Sequence, residues 1–314
     1  MVLDFFKRNL SMILGCVLAF SLGVIPFSYA ESASEKSAVS AKAQKQPATS
    51  AQVSKKAVAK EERKAEKLKE ELNVKAIQAV AQTYKALNLL AEGKSKEALE
   101  VLKGVVGELE IILAANKEVA FVPINSYHVI VDTRLSAKEI EKQLGEVKKL
   151  LREGDVQAAR LLLNTLQSEI DIIIEQLPLA TYPDAIKLAS KYIIDGKIKE
   201  AQSVLSVALS SMVIKTIVIP LPLVKATDLI QAASKIAKTN KEKALDYLNG
   251  AKEQLKIAEL LGYGKHYSET YKELKEQIEK IQEEIKGKNK AESLFDELLK
   301  KMKEFKDKLQ KVAS

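Results

Sequence analysis

The chain has 314 residues but only one cysteine, two histidines and no tryptophan. Because the single cysteine, Cys16, lies in an N-terminal apolar stretch, the rest of the chain can form no internal disulfide and has no thiol chemistry. Neither His128 nor His266 has a cysteine or another histidine nearby, so a metal site would lack ligands. We therefore expect no metal and no cofactor.

Recognisable catalytic motifs are also missing. The sequence has no Gly-rich phosphate loop, no Gly-x-Ser-x-Gly turn and no His-Glu-x-x-His helix. The acidic pairs Glu108-Glu110 and Glu169-Asp171 have a spacing of two, which places their members on different faces of a helix. We therefore predict no catalytic residues and no enzymatic activity.

Glycine (12 residues) and proline (7 residues) are scarce, whereas Ala, Leu, Lys and Glu are abundant, which favours helices. The net charge of +8 comes from 50 basic and 42 acidic residues, and nearly all of the basic ones are lysine. Mixed Lys and Glu are typical of solvated helix faces, and a nucleic-acid binder would more often show an Arg-rich stripe. We predict no nucleic-acid partner.

The N-terminus has the three parts of a secretory signal. Lys7 and Arg8 precede an uncharged apolar stretch at 10–27, and Ser28-Tyr29-Ala30 supplies small residues at the cleavage site. This pattern predicts a signal peptide at 1–30, cleaved after Ala30, and a periplasmic protein. Membrane attachment would require an uncleaved signal or a lipid on Cys16. Residues 31–60 are low in large apolar side chains and predict a disordered tether.

An internal repeat organises the rest of the chain. Four turns begin equivalent units: Glu92-Gly93-Lys94, Glu153-Gly154-Asp155, Asp195-Gly196-Lys197 and Thr239-Asn240. An alanine follows each turn position by five residues, and these are Ala98, Ala159, Ala201 and Ala244. Apolar residues then recur at steps of four and three, the spacing of one helix face, and in unit two they are Leu163, Leu166, Ile170 and Ile173. The residues three and seven positions before the turns match as well, and they are Leu90 and Ala86, Leu151 and Val147, Ile193 and Ala189, and Ile236 and Ala232. Each unit thus predicts a helical hairpin that stacks on its neighbours. The hairpins resemble tetratricopeptide units, but their spacing of 42 to 61 residues exceeds that motif's period of about 34.

Two β-branched stretches, 121–131 and 213–219, predict short strands that could pair. Two C-terminal segments have heptad spacing: Tyr271, Leu274, Ile278, Ile281 and Ile285, then Phe295, Leu298, Met302, Phe305, Leu309 and Val312. The predicted fold is all-α. Stacked helical hairpins form a repeat-like bundle or solenoid at 61–262 with two short strand-like inserts. Residues 263–314 add a helical hairpin or coiled-coil-like extension, which packs on the chain itself or on a partner.

The core from about Leu72 to Ile285 resembles the YfdX family of exported bacterial proteins. The residues that carry the resemblance are Phe121-Val122-Pro123-Ile124, Thr181-Tyr182-Pro183-Asp184-Ala185 with Gly196 and Ala201, Ile219-Pro220-Leu221-Pro222-Leu223, and Ala258-Glu259-Leu260-Leu261-Gly262-Tyr263-Gly264 with Tyr267 and Tyr271. The resemblance implies a helical periplasmic protein that takes part in stress responses and behaves like a chaperone. It implies no catalytic residues.

The first functional hypothesis is an exported protein that binds unfolded or partner polypeptides in a groove between hairpins. Ile219, Leu221 and Leu223 are candidates for the groove lining, and His128 is a further candidate. His128 also shares a strand face with Asp132, which could orient its imidazole. One alternative is a homo-oligomeric scaffold that assembles through its C-terminal helices. Another is a sensor that binds a small molecule between helices.

Overall fold

The computed structural model describes residues 48–67, 72–115, 119–288 and 290–312, without the side chains of 310–312. The predicted signal peptide at 1–30, and the predicted tether up to residue 47, lie outside these residues. In chain order, the helices and strands are α1 (Ser50–Lys67), α2 (Val74–Ala91), α3 (Ser95–Ala115), β1 (Phe121–Asp132), α4 (Ala137–Glu153), α5 (Val156–Leu163), β2 (Ser168–Pro178), α6 (Tyr182–Ile194), α7 (Ile198–Ser210), β3 (Val213–Pro220), α8 (Leu221–Ile236), α9 (Lys241–Leu260), a 3-10 turn (Lys265–Tyr267), α10 (Ser268–Lys286) and α11 (Glu292–Val312). The prediction of a mainly helical fold with strand inserts is confirmed.

Helices α2, α3, α6 and α7 share the first hydrophobic core. They form two hairpins, α2–α3 and α6–α7, which also pack on each other. Gly93 and Gly196 stand in the hairpin turns with φ of 77° and 73°, a left-handed conformation that glycine adopts without steric cost. The predicted alanines Ala98 and Ala201 are fully buried where the helices approach closely.

Helices α8 to α11 share the second core. In the glycine-free turn before α9, the Asn240 side chain accepts a hydrogen bond from the backbone N–H of Lys243. The heptad residues of α10, and those of α11 from Phe295 to Phe305, are buried in this core, and the Tyr271 and Phe305 rings meet edge to face at 5.0 Å. The domain boundary predicted between residues 262 and 263 therefore does not separate two cores.

A three-stranded antiparallel sheet joins the two helical cores, in the order β1-β2-β3. The central strand β2 corrects the sequence prediction, which assigned Ile170 and Ile173 to the second helix of unit two. That helix, α5, ends at Leu163. A run of isoleucines between residues 170 and 174 favours a strand, and β1 and β3 both pair with it rather than with each other.

Helix α1 also differs from the sequence prediction, which assigned residues 50–60 to a disordered tether. The helix packs mainly on α8 and also contacts β1 and α9. Only Ala57 and Ala65 are buried in it. Their small side chains let the α1 backbone lie close to neighbours that supply the larger apolar groups, so a segment without large side chains is ordered.

Candidate functional site

Of the four residues predicted to line the groove, two are buried in the hydrophobic cores and two are half-buried on the sheet. Leu221 and Leu223 are fully buried and belong to the hydrophobic cores. The prediction that they line an open groove is therefore wrong. The proline-containing turn at the end of β3 begins α8 and directs both leucines inward. Ile219 and His128 are half-buried, and they lie on one face of the sheet.

That face of the sheet carries a cluster of isoleucines, and we call it the isoleucine face. Residues that pair across antiparallel strands point to the same side, and so do alternate residues along one strand. The face consists of Ile130 in β1, Ile170, Ile172 and Ile174 in β2, and Ile217 and Ile219 in β3. Val58 and Ala65 of α1 cover it, and Leu221 packs against it. The alternating isoleucines of β2 were the sequence signal for this surface.

His128 and Asp132 do not form the predicted pair. Asp132 Oδ1 instead accepts a hydrogen bond of 2.9 Å from Ser168 Oγ and lies 2.5 Å from Lys225 Nζ. Lys225 is nearly buried, with 11% of its side chain exposed, so the ammonium group of this ion pair is held away from bulk water. His128 Nδ1 is buried and has no hydrogen-bond partner among the residues that the structure describes.

The opposite face of the sheet carries carboxylates. Glu169, Asp171 and Glu175 of β2 share it with Tyr127 and Val129 of β1. Burial raises the pKa of Glu169, although a hydrogen bond with Tyr263 lowers it, and nearby Asp171 raises it further. Burial also raises the pKa of Asp171. Because Tyr127 and Val129 remain 44% exposed, this face is an open surface of mixed apolar and acidic character.

A cavity of about 710 Å³ lies beneath the N-terminal half of α1. Its wall is formed by α1, by the segment that follows β1, and by α8 and α9. The polar groups include the Asp132–Lys225 pair, Ser168 and Glu253. Glu253 accepts a hydrogen bond of 2.8 Å from the backbone N–H of Ala137 at the start of α4.

Strand β3 is an edge of the sheet. Its first residues, Val213 and Ile214, are 37% and 64% exposed. An edge strand presents unpaired backbone N–H and C=O groups, to which an extended chain of any sequence can bond. Large apolar side chains are also exposed on α6 and α7, and these are Leu188, Ile194 and Val207.

A metal site and a membrane-spanning helix each place requirements on the described residues. Across residues 48–312, apart from the undescribed gaps, no three His, Cys, Asp or Glu side chains are placed to hold a metal ion. Within the same residues, no helix is both long and apolar enough to cross a bilayer.

These features define a helical protein of two cores joined by a small sheet. The family model described as YfdX protein matches residues 79–218, so this segment of the chain is similar to the YfdX family. The chain is also similar to a solved structure of YfdX from Salmonella Typhi. That protein is 17% identical, with 48% of this chain and 93% of that chain covered and a TM-score of 0.34. No curated protein matches the chain.

Proposed function

We propose that this protein, which is similar to the YfdX family over residues 79–218, is an exported, non-enzymatic, stress-associated protein that holds unfolded polypeptide segments. The observation that carries the proposal is the edge strand β3 with its exposed Val213 and Ile214. Backbone hydrogen bonds at a sheet edge do not depend on the sequence of the client, which suits a chaperone-like protein. Exposed apolar side chains beside the edge add affinity for segments that a folded protein would bury.

The arrangement of charge supports the same proposal. Lys215 is the only charged residue of β3, so an approaching apolar segment meets little charge along this edge. A single edge lysine is also a common device against uncontrolled sheet-to-sheet aggregation. The edge thus combines accessibility to an extended segment with some protection against self-association.

Suppression of aggregation tests the proposal. A model client is unfolded by heat or reductant with increasing amounts of the purified protein, without nucleotide, and light scattering is followed. We expect protection at near-stoichiometric amounts. Ile214→Lys should weaken it at least threefold, because it adds charge and removes an apolar contact at the edge.

The matched control is Ile194→Lys at the end of α6, where the same side chain is 71% exposed. This variant should protect as the unmodified protein does. Equal protection by both variants would show that the β3 edge is not the binding surface. No protection at any ratio would refute the chaperone-like function itself.

The cavity supports a second candidate function, the binding of a small polar molecule. Its volume of about 710 Å³ is within the range of ligand pockets, and Lys225 and Asp132 offer one charge of each sign. A panel of small zwitterions in a thermal-shift assay tests this candidate. A stabilising compound should lose its effect in Lys225→Met, and no shift with any compound would count against the site.

Assembly through the C-terminal helices is less well supported by the packing. The heptad side chains of α10, and those of α11 from Phe295 to Phe305, are buried inside the second core of the same chain. Light scattering in solution would test the expected homo-oligomer independently of this seam.

A further inference from the structure

We infer that α1 is a displaceable cover, and that polypeptide clients bind the isoleucine face that its departure uncovers. The inference rests on the proposed function, because it names a surface and a control for the same binding. When α1 leaves, the isoleucine face becomes continuous with the edge strand β3, whose Ile217 and Ile219 belong to both.

The composition of α1 makes it a weak cover. In its 18 residues it has two valines and no larger aliphatic or aromatic side chain, and only Ala57 and Ala65 are buried. The surface beneath it is formed by six isoleucines. Most of the apolar area in this contact therefore belongs to the sheet, and α1 contributes little of the matching surface that a stable core helix supplies.

Few polar contacts join α1 to the rest of the described chain. Ser50 Oγ donates to Asp246 Oδ2 at 3.0 Å, and the Tyr247 hydroxyl donates to the Ala48 carbonyl. The nearest Lys60–Asp228 contact is 3.9 Å, with half of the Lys60 side chain exposed. Water can replace the contacts of Ser50 and Lys60, whereas Tyr247 is buried, so its hydrogen bond is the polar contact that costs most to break.

An open cleft borders the N-terminal half of α1. It has a volume of about 710 Å³ and is lined by residues of α1, α8 and α9. At one end Ser50 of α1 meets α9 beside Gly250, and along its length α1 packs mainly on α8. On its side of the cleft α1 offers no aliphatic side chain larger than that of Val58, so the helix contributes little apolar surface there.

The composition of the isoleucine face determines which polypeptide segments it would bind. It is mainly aliphatic, with Ser126 and His128 on its β1 side, and its charged residues, Asp132 and Lys215, stand at its margins. An extended client segment that pairs with β3 would place every second side chain over this face. The matching client is therefore an unfolded segment rich in aliphatic or aromatic residues at alternate positions, rather than a charged peptide.

A single substitution should displace α1 from the isoleucine face. Ala65→Asp puts a carboxylate against the isoleucine face, where it cannot be solvated while α1 is seated. We expect this change to raise client protection at least threefold. Ala51→Asp is the matched control, because residue 51 is exposed on the same helix and the substitution should leave protection unchanged.

A second variant locks the cover, in a Cys16→Ser background. A Cβ built at Gly250 would lie 3.7 Å from the Ser50 Cβ, within the range for a disulfide. Its closest contact is the end of the flexible Leu229 side chain at 3.3 Å. Ser50→Cys with Gly250→Cys should therefore bond when oxidised. Oxidation should lower client protection at least threefold, and reduction of the same sample should restore it.

A thiol reporter measures the movement without any client. In the Cys16→Ser background, Ile172→Cys lies under α1, and Leu248→Cys in the second core serves as the buried control. We expect a thiol reagent to label position 172 at least tenfold faster than position 248. Equal labelling rates would overturn the displaceable cover, whatever the client assay shows.

The two proposals fail in different ways. Protection that responds neither to Ala65→Asp nor to the Ser50–Gly250 disulfide would overturn the inference and leave the proposed function standing. An absence of protection in every variant, the released one included, would refute the proposed function and the client part of the inference. Rapid labelling of position 172 together with opposite responses of the released and locked variants would support both.

Discussion

The ion pair between Asp132 and Lys225 gives a quantitative test of how the sheet is held to the second helical core. Lys225 Nζ lies 2.5 Å from Asp132 Oδ1, with 11% of the lysine side chain and 36% of the aspartate side chain exposed. Replacing Asp132 with alanine leaves the ammonium group nearly buried without its counter-charge. For fully buried pairs such a change costs about 3–5 kcal/mol. Because Asp132 is one-third exposed, we expect about 2–3 kcal/mol here.

The reverse substitution should cost less. Lys225→Met removes the buried charge and keeps most of the apolar stem, while Asp132 retains its hydrogen bond from Ser168 and its access to water. We expect a loss of about 1 kcal/mol or less. The double variant should then lose less stability than the sum of the two single changes. The expected coupling energy is about 1–2 kcal/mol.

Urea unfolding at pH 7 measures the cycle. With a urea dependence of about 2–3 kcal/mol per molar, the Asp132→Ala midpoint should fall by about 1 M. Glu100→Ala is the control, since Glu100 pairs with Lys103 at 2.6 Å but both side chains are more than 60% exposed. That change should cost about 0.5 kcal/mol or less. If Asp132→Ala cost no more than Glu100→Ala, or no more than Lys225→Met, the argument from burial would be refuted.

Three further variants have expected effects of definite sign. Gly154→Ala should destabilise the protein by about 1 kcal/mol in urea unfolding, because Gly154 ends α4 in a left-handed conformation with φ of 81°. Gly145→Ala should instead stabilise the protein by up to about 1 kcal/mol, because Gly145 lies inside α4 with open space around it. Asp171→Asn should stabilise the protein at pH 7 by up to about 1 kcal/mol and so raise its melting temperature. The reason is that the carboxylate oxygen Asp171 Oδ1 is buried without a hydrogen-bond partner in the described structure. Burial raises the pKa of Asp171 in the folded state, so its destabilising effect is present above that pKa and is relieved as the pH falls towards the ordinary value near about 4. The gain from Asp171→Asn should therefore shrink on acidification, and a constant gain would contradict this assignment.

The helical hairpins could be predicted because local chemistry determines them. Gly93, Gly154 and Gly196 each adopt positive φ at the predicted turn, and Ala98 and Ala201 lie at the predicted close contacts. The glycine-free unit was predicted with an error of one position. Ala233 and Ala237 are buried instead of the expected neighbours at 232 and 236. Without a glycine to end α8, nothing in the sequence pattern fixed the register.

The central strand could not be predicted because its residues satisfy two periods. Ile170 and Ile173 continue the steps of four and three that begin at Ala159, so they fit a helix. Ile170, Ile172 and Ile174 also alternate as a strand requires. Pairing with two other strands decides between these patterns, and both partners are distant in sequence. The order of α1 likewise depends on the sheet and on α8, which its own composition does not indicate.

The candidate site was only partly predictable for a related reason. A surface that holds apolar polypeptides uses the same isoleucines and leucines that fill a core, so residue type cannot separate them. Leu221 and Ile219 are two residues apart in one predicted motif, yet Leu221 is fully buried and Ile219 lies half-buried on the sheet. What distinguishes them is the chain that covers each one. Leu221 is enclosed where the sheet meets α8, whereas the face that carries Ile219 is covered by α1, a helix whose own apolar contribution is two alanines and two valines. If α1 is displaced as we infer, the strength of that cover, rather than the chemistry of the surface, determines whether the sheet acts as core or as a binding site.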